Sequence, residues 1–323
     1  MAIILMLRHI GPGPHPSGSP QSVHGKGGSA VHEDAAVYPA KVGKKAAVRP
    51  SKPENLQSMA EKRVTDQIVQ EGLALKADIA GLSPVASFDV LHALEQVSDV
   101  CHVRPLRAIR ALTGQQMDWA VADSACNEAT GSTTIRLNKE KLKNPDTNFT
   151  FSVTKWQNEQ KMRTAALARY EEQAEEEGYS GPKPQEVRIM ELENADCGRF
   201  SRWGVAYKEK GIQTVVFHEY GHYLLNLAES AVVSEKKIAI AKFGDSGGMV
   251  DKCRDLRMNM RVDKSLFGVS KYAAADPEEW FAECFSMYMA DIERDKLPDY
   301  TVKFIKKVIT KARENNLSTG VAG

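Results

Sequence analysis

The sequence lacks paired cysteines. Its five cysteines are an odd number, lie far apart and include no C-x-x-C pair. A disulfide scaffold needs thiols that can pair, and a cysteine-based zinc site needs them clustered at short spacing. The absence of such spacing argues against both and favours a reducing compartment for the folded chain.

The chain also lacks an excess of charge and a long apolar run near its start. Its 43 Lys and Arg residues nearly balance its 42 Asp and Glu residues, which leaves a formal net charge of +1. This balance argues against a general nucleic-acid binder and against an acidic tail protein. The apolar run over residues 3–7 is shorter than the roughly 7–15 residues of a secretory signal core and the ~20 of a membrane span. We therefore expect no signal peptide, no transmembrane segment, no nucleic-acid or membrane partner, and a cytoplasmic location.

The overall composition is that of a folded protein, but the N-terminal segment has an unusual composition. Hydrophobic residues make up 42% and charged residues 26% of 323 residues, which suits two ordinary domains or one elaborated domain. Residues 11–29 read GPGPHPSGSPQSVHGKGGS, and a basic stretch of small residues follows. Such segments bury too little apolar surface to fold, so residues 1–52 are predicted to be a flexible tail and linker. His15 and His24 in this tail are interpreted as incidental.

Two helical patterns follow the tail and predict a helical module over residues 53–113. The first pattern keeps apolar residues at helical spacing and has Gly81 as a plausible stop. His92 lies on the apolar stripe of the second pattern and is interpreted as a packed helix residue. The pattern then changes, because residues 125–137 end in an alternation that suits a half-buried strand.

Residues 211–227 read GIQTVVFHEYGHYLLNL and contain the motif H-E-x-x-H, formed by His218, Glu219 and His222. Residues four apart lie on one helix face, so both imidazoles can point at one metal ion with Glu219 beside them. A catalytic zinc ion lowers the pKa of its water toward about 7, and the neighbouring carboxylate can take the proton. Burial of these polar side chains among aliphatic residues without partners would be costly, which argues against a purely structural role.

A catalytic zinc site needs a third protein ligand, and no histidine follows His222 in the chain. This absence excludes the metzincin pattern H-E-x-x-H-x-x-G-x-x-H and leaves downstream carboxylates. Asp276 and Pro277 mark a helix start, and Glu279 and Glu283 then share one helix face. One of these carboxylates can bind metal while the other orients a ligand histidine. In an alternative interpretation, Asp276 and Glu279 form a capping box, and Glu279 only satisfies a backbone N–H group.

The two motifs together resemble one family. H-E-Y-G-H followed by Y-x6-E-W-F-A-E-x-F resembles the gluzincin metallopeptidases of the anthrax lethal factor type. The resemblance covers about residues 125–292 and implies one zinc ion in a zincin-like fold. It also implies a role for each matched residue: zinc ligands His218, His222 and Glu279, general base Glu219, an oxyanion-stabilising hydroxyl from Tyr272, and the second motif glutamate, Glu283, beside the ligands.

The same resemblance implies that the strand ending at Ile135–Leu137 is the sheet edge where an extended peptide binds by β-augmentation. Separately, the segment GPGPHPSGSPQSVHGKGG is similar to short segments of bacteriophage head-associated proteins. This similarity suggests a phage or prophage origin and adds a virion-associated location to the cytoplasmic one. Because proteases cleave flexible backbone, any self-processing is expected within residues 11–52.

We therefore expect an α+β fold in which a zincin-like catalytic domain over residues 114–323 follows the tail and the helical module. A small twisted sheet would pack on the active-site helices. The expected function is that of a zinc-dependent endopeptidase acting on a polypeptide, either its own chain or a phage structural protein. Two alternatives stay open: a non-catalytic, zincin-fold structural or assembly protein of a phage-like particle, and a metal-dependent hydrolase of a non-peptide amide.

Overall fold

The computed structural model describes residues 56–118, 120–127, 132–242 and 248–319. Within these ranges the chain forms nine α-helices and a four-stranded mixed sheet. The helices are α1 (Leu56–Gln70), α2 (Pro84–Cys101), α3 (Thr147–Glu176), α4 (Gln185–Cys197), α5 (Gln213–Lys242), α6 (Met249–Val262), α7 (Leu266–Val269), α8 (Pro277–Ala290) and α9 (Asp299–Thr319). The strands are β1 (Ala77–Asp78), β2 (Ala108–Leu112), β3 (Ala122–Asn127) and β4 (Ser132–Asn138).

This arrangement confirms the expected α+β class. The tail predicted over residues 1–52, with His15 and His24, lies outside the described residues. No helix in the described part of the chain combines the length and the apolar character that a bilayer crossing requires.

The sheet has the strand order β1-β2-β4-β3. β1, β2 and β4 run parallel, whereas β3 runs antiparallel to β4. Ile135 in β4 therefore pairs with Ile109 on one side and with Ser124 on the other. The prediction that Ile135–Leu137 forms the sheet edge is wrong, because β3 covers that side of β4. β3 is the edge strand on this side of the described sheet.

The residues predicted as a helical module contribute both helices and strands. The two expected helices are confirmed as α1 and α2, but the predicted stop of the first helix at Gly81 is wrong, because α1 ends at Gln70 and β1 lies between Gln70 and Gly81. Gly81 has a positive φ of +92°, which favours glycine. Ser83 caps α2 by accepting the Ala86 N–H at 3.2 Å. β2 pairs directly with β4, so the boundary predicted after residue 113 falls within one sheet. Residues on both sides belong to one compact unit over Asn55–Gly323.

Helix α5 packs closely against α8 at Gly221. Its side chains Val216, Phe217 and Tyr223 are fully buried. The closest approach occurs at Gly221, where an added Cβ would lie 3.0 Å from Ala282 Cα and 3.3 Å from Phe285 Cδ1. The missing side chain thus lets the two helices approach, and their separation is set by backbone that cannot easily move aside.

If the zinc site predicted from the sequence is present, we expect Gly221→Ala to weaken zinc binding by roughly tenfold or more while the chain still folds, because disturbed support of ligands commonly costs that much affinity. The added methyl group must push α8, and with it Glu279, away from α5. Competition with a chromophoric chelator measures the affinity. Gly268→Ala is the matched control, since a Cβ at Gly268 meets no atom within 4 Å. Equal zinc affinity for Gly221→Ala and the wild type would show that helix spacing does not set the ligand geometry.

Candidate metal centre

Helices α5 and α8 bring three side chains together at one point. His218 and His222 project from α5, and Glu279 projects from the first turn of α8. The Nε2 atoms of the two histidines are 3.3 Å apart, and Glu279 Oε2 lies 3.0 Å from His218 Nε2 and 3.5 Å from His222 Nε2. Ligand atoms about 2.0–2.1 Å from a tetrahedral zinc ion are about 3.3–3.4 Å apart, by simple geometry. The three atoms therefore have the spacing of three corners of such a site, and this group could hold a metal ion.

Hydrogen bonds within this group leave one buried polar atom without a partner. Glu279 Oε2 is buried and has no hydrogen bond of acceptable geometry, although His218 Nε2 is 3.0 Å away. A buried carboxylate oxygen without a hydrogen-bond partner is costly, and a cation between it and the imidazoles would satisfy it. The donor set of two imidazoles and one carboxylate is also one that zinc accepts in catalytic sites.

Glu283 fixes the orientation of His218. Its Oε1 lies 2.8 Å from His218 Nδ1, and its Oε2 accepts hydrogen bonds from Ser270 Oγ at 2.6 Å and from the Val205 N–H at 2.5 Å. The Glu283 carboxylate can accept a hydrogen bond from His218 Nδ1–H, and in a neutral His218 this tautomer leaves the Nε2 lone pair facing Glu279 and His222. Sequence reasoning missed Ser270 and Val205, since a serine and a backbone N–H far from either motif carry no signal of this contact.

The pKa values of the group follow from burial and close charges. Burial alone would lower the pKa of His218, but the close carboxylates of Glu279 and Glu283 outweigh it and hold that pKa well above its usual value. Burial would raise the pKa of Glu279, but the close imidazoles of His218 and His222 hold it well below its usual range. The site thus attracts positive charge between the imidazoles and the carboxylates, whether as a proton or as a cation.

The position of the Glu279 carboxylate distinguishes between its two predicted roles, as a metal ligand and as a member of a capping box. Asp276 caps α8, and its Oδ1 accepts the N–H groups of Glu278 at 2.8 Å and of Glu279 at 2.9 Å. The reciprocal bond of a capping box, from the Asp276 N–H to the Glu279 carboxylate, is not among the hydrogen bonds of α8 in the described chain. The Glu279 carboxylate instead faces the two histidines.

Glu219 and Tyr272 lie beside the three candidate ligands. Glu219 is buried, with 6% of its surface exposed, and burial raises its pKa while His218 and His222 oppose the shift. The Tyr272 ring stacks on the His218 ring at a centroid distance of 5.8 Å and on the Trp203 ring at 5.9 Å. Burial, followed by the nearby Glu279 carboxylate, raises the pKa of Tyr272, so its phenol stays protonated and can donate a hydrogen bond.

A cavity of about 350 Å³ opens at this group. His218, Glu219 and Tyr272 line it, together with residues 120–122 at the start of β3. A small substrate group could therefore enter beside the candidate base and reach the edge strand of the sheet.

Comparison of the chain with protein-family models, with curated proteins and with solved structures found no match. The class of the site is therefore defined by its geometry alone: a candidate mononuclear metal centre with two histidines and one carboxylate, beside a cavity that contains a buried glutamate.

Proposed function

We propose that this protein is a zinc-dependent endopeptidase of the gluzincin type. The observation that carries the proposal is the spacing of His218 Nε2, His222 Nε2 and Glu279 Oε2, which are 3.0–3.5 Å apart. Glu219 and Tyr272 line the cavity beside them, as a hydrolytic site requires. A purely structural use of the fold would not need a buried glutamate beside this cavity.

The edge strand supports a peptide as the substrate. β3 is the last strand of the described sheet, and residues 120–122 at its start line the cavity beside Glu219. An extended peptide can add to such an edge through main-chain hydrogen bonds while one side chain enters the neighbouring pocket. A non-peptide amide would gain little from a strand edge, which favours peptide-bond hydrolysis.

Each polar residue has a part in this reaction. When bound, a zinc ion would supply a Lewis acid that polarises the scissile carbonyl and acidifies a water. Glu219 takes a proton from the attacking water and later gives it to the departing amine. The Tyr272 hydroxyl donates a hydrogen bond to the oxyanion that develops on the substrate carbonyl. Glu283 holds the His218 ring so that Nε2 keeps its lone pair for the metal.

The full chain is expected to cleave peptides only when it is loaded with zinc. A peptide library prepared from a digested proteome would be incubated with the zinc-loaded protein, and new chain ends identified by mass spectrometry. Removal of the metal by a chelator should abolish cleavage, and added zinc should restore it. A protein that binds zinc at one equivalent and generates no new chain ends would contradict the proposal.

A further inference from the structure

A residue outside both motifs contacts the candidate oxyanion donor. The Trp203 ring stacks on the Tyr272 ring at a centroid distance of 5.9 Å, with 23° between the ring planes. The Tyr272 ring stacks in turn on the His218 ring at 5.8 Å, with 19° between the planes. The three rings form a continuous series that begins at Trp203 and ends at a candidate metal ligand.

The main chain joins the same two residues. The Tyr272 N–H donates to the Trp203 carbonyl oxygen at 2.8 Å, and the Lys271 N–H donates to the Arg202 carbonyl oxygen at 3.0 Å. Trp203 thus holds Tyr272 through the backbone and through the ring. A substitution of the Trp203 side chain removes the ring contact and leaves the donors and acceptors of both backbone hydrogen bonds in place.

The segment that follows Trp203 is anchored to two helices. Ser152 on α3 donates its hydroxyl to the Gly204 carbonyl oxygen at 3.0 Å and accepts the Gly204 N–H at 3.1 Å. Glu283 on α8 accepts the Val205 N–H at 2.5 Å. Both side chains are buried, so bulk water has little access to these hydrogen bonds. The indole of Trp203 therefore extends from backbone that is fixed on both sides.

Two ammonium groups pack against the same indole ring. Lys155 Nζ lies 5.1 Å and Lys271 Nζ lies 5.8 Å from the ring centre. Lys271 also forms an ion pair with Glu159 on α3, which restrains its side chain. Contacts between a cation and a ring face favour one orientation of the ring. Trp203 thus presents a fixed surface to Tyr272.

We propose that Trp203 is a positioning residue of the peptidase, which holds the Tyr272 ring so that its hydroxyl is in place before the oxyanion develops. This inference rests on the proposed peptidase function. Tyr272 begins a short 3-10 turn, Tyr272–Ala274, and its phenol can rotate about the side-chain bonds unless other groups pack against it. A hydrogen-bond donor lowers the barrier most when it needs no reorganisation during the reaction.

Trp203 also lines the cavity, so removal of its ring could weaken substrate binding directly. The binding of a phosphinic peptide to the zinc-loaded full chain separates this effect from positioning. The probe has the sequence of one identified cleaved peptide, and a tetrahedral phosphinate replaces the scissile amide, so that a phosphinate oxygen stands in for the oxyanion. Its affinity is measured for the wild type, Trp203→Leu, Tyr272→Phe and the variant with both substitutions.

Tyr272→Phe should bind this probe at least about tenfold more weakly, because it loses a hydrogen bond to a charged oxygen. Trp203→Leu should bind it roughly fivefold to tenfold more weakly, which is the size of the contribution of an aromatic pair. Addition of Trp203→Leu to Tyr272→Phe should cause no further loss, since no hydroxyl remains to be positioned. Trp203→Phe keeps an aromatic ring at this position and should retain the wild-type affinity within about threefold.

Phe151→Leu is the matched control. Phe151 lines the same cavity, and in the described part of the chain its ring is not stacked on Tyr272. Any loss of affinity in Phe151→Leu should therefore be the same with and without the Tyr272 hydroxyl. Competition with a chelator should give the same zinc affinity for Trp203→Leu as for the wild type, which would show that this variant folds and that His218 is undisturbed.

Three results would contradict the inference. An equal loss of probe affinity for Trp203→Leu in the presence and absence of the Tyr272 hydroxyl would overturn the positioning role and leave the peptidase proposal intact. A weaker affinity for zinc in Trp203→Leu would also overturn it, because the ring would then support the metal ligands. Failure of the zinc-loaded wild type to bind the phosphinic peptide would contradict both proposals.

Discussion

Glu219→Gln is expected to bind zinc as tightly as the wild-type chain and to lose peptide cleavage by about 10²–10⁴-fold in kcat/KM, the usual contribution of a general base. Glutamine has the size of glutamate but cannot take a proton from water. Glu219 is not one of the three groups that could hold the metal, so the metal content should not change. Because only 6% of Glu219 is exposed, bulk water has little access to replace it.

Zinc content by atomic spectroscopy and cleavage of one identified peptide check this result. Glu209→Gln is a matched control, since Glu209 is exposed in the turn before α5 and does not line the cavity. Turnover at the wild-type rate in Glu219→Gln would remove Glu219 from the mechanism. A loss of zinc from this variant would mean that Glu219 supports the metal directly.

Glu279→Gln is expected to weaken zinc binding by more than about 100-fold, beyond the 10–100-fold that loss of a supporting residue costs. The substitution removes the negative charge of the third candidate ligand and keeps its volume. It also leaves the cap of α8 intact, because Asp276 accepts the backbone N–H of residue 279 and not its side chain. The expected loss of zinc affinity would therefore result from the missing carboxylate and not from a disturbed start of α8.

Glu278→Gln separates this effect from a general change of charge at the start of α8. Glu278 is exposed, precedes Glu279 in the chain and has its N–H bound by the same Asp276 oxygen. Zinc titration of both variants with a competing chelator measures the difference. If Glu279→Gln binds zinc with the affinity of the wild type, Glu279 is not a ligand. The interpretation of Glu279 as a capping residue would then be favoured.

The helical parts of the site were predictable from the sequence because their signals are local. The spacing of His218 and His222 places them on one helix face, and Asp276 followed by proline marks the start of α8. That the two helices meet was expected only from the family resemblance of the two motifs, because their packing depends on the close approach of Gly221 and Ala282, which leaves no local signal.

The sheet was less predictable, because strand signals do not identify strand neighbours. The alternation near Ile135 correctly indicates a strand, but the position of β3 beside it makes β4 an inner strand. β2 went unrecognised within the helical module, as its five residues carry too short a pattern to separate from a helix end. The hydrogen bonds of Ser270 and Val205 to Glu283 link segments far apart in sequence and leave no local signal.

The position of Glu283 has a mechanical consequence. One carboxylate joins His218 on α5 to the segment of Val205, which with Trp203 forms part of the cavity wall, and to Ser270, two residues before Tyr272. A ligand that displaces this wall would therefore also disturb the carboxylate that orients His218. If the site holds a metal, its geometry and the occupation of the cavity would thus be coupled through a single side chain, and by reciprocity a change at the metal would affect the cavity wall.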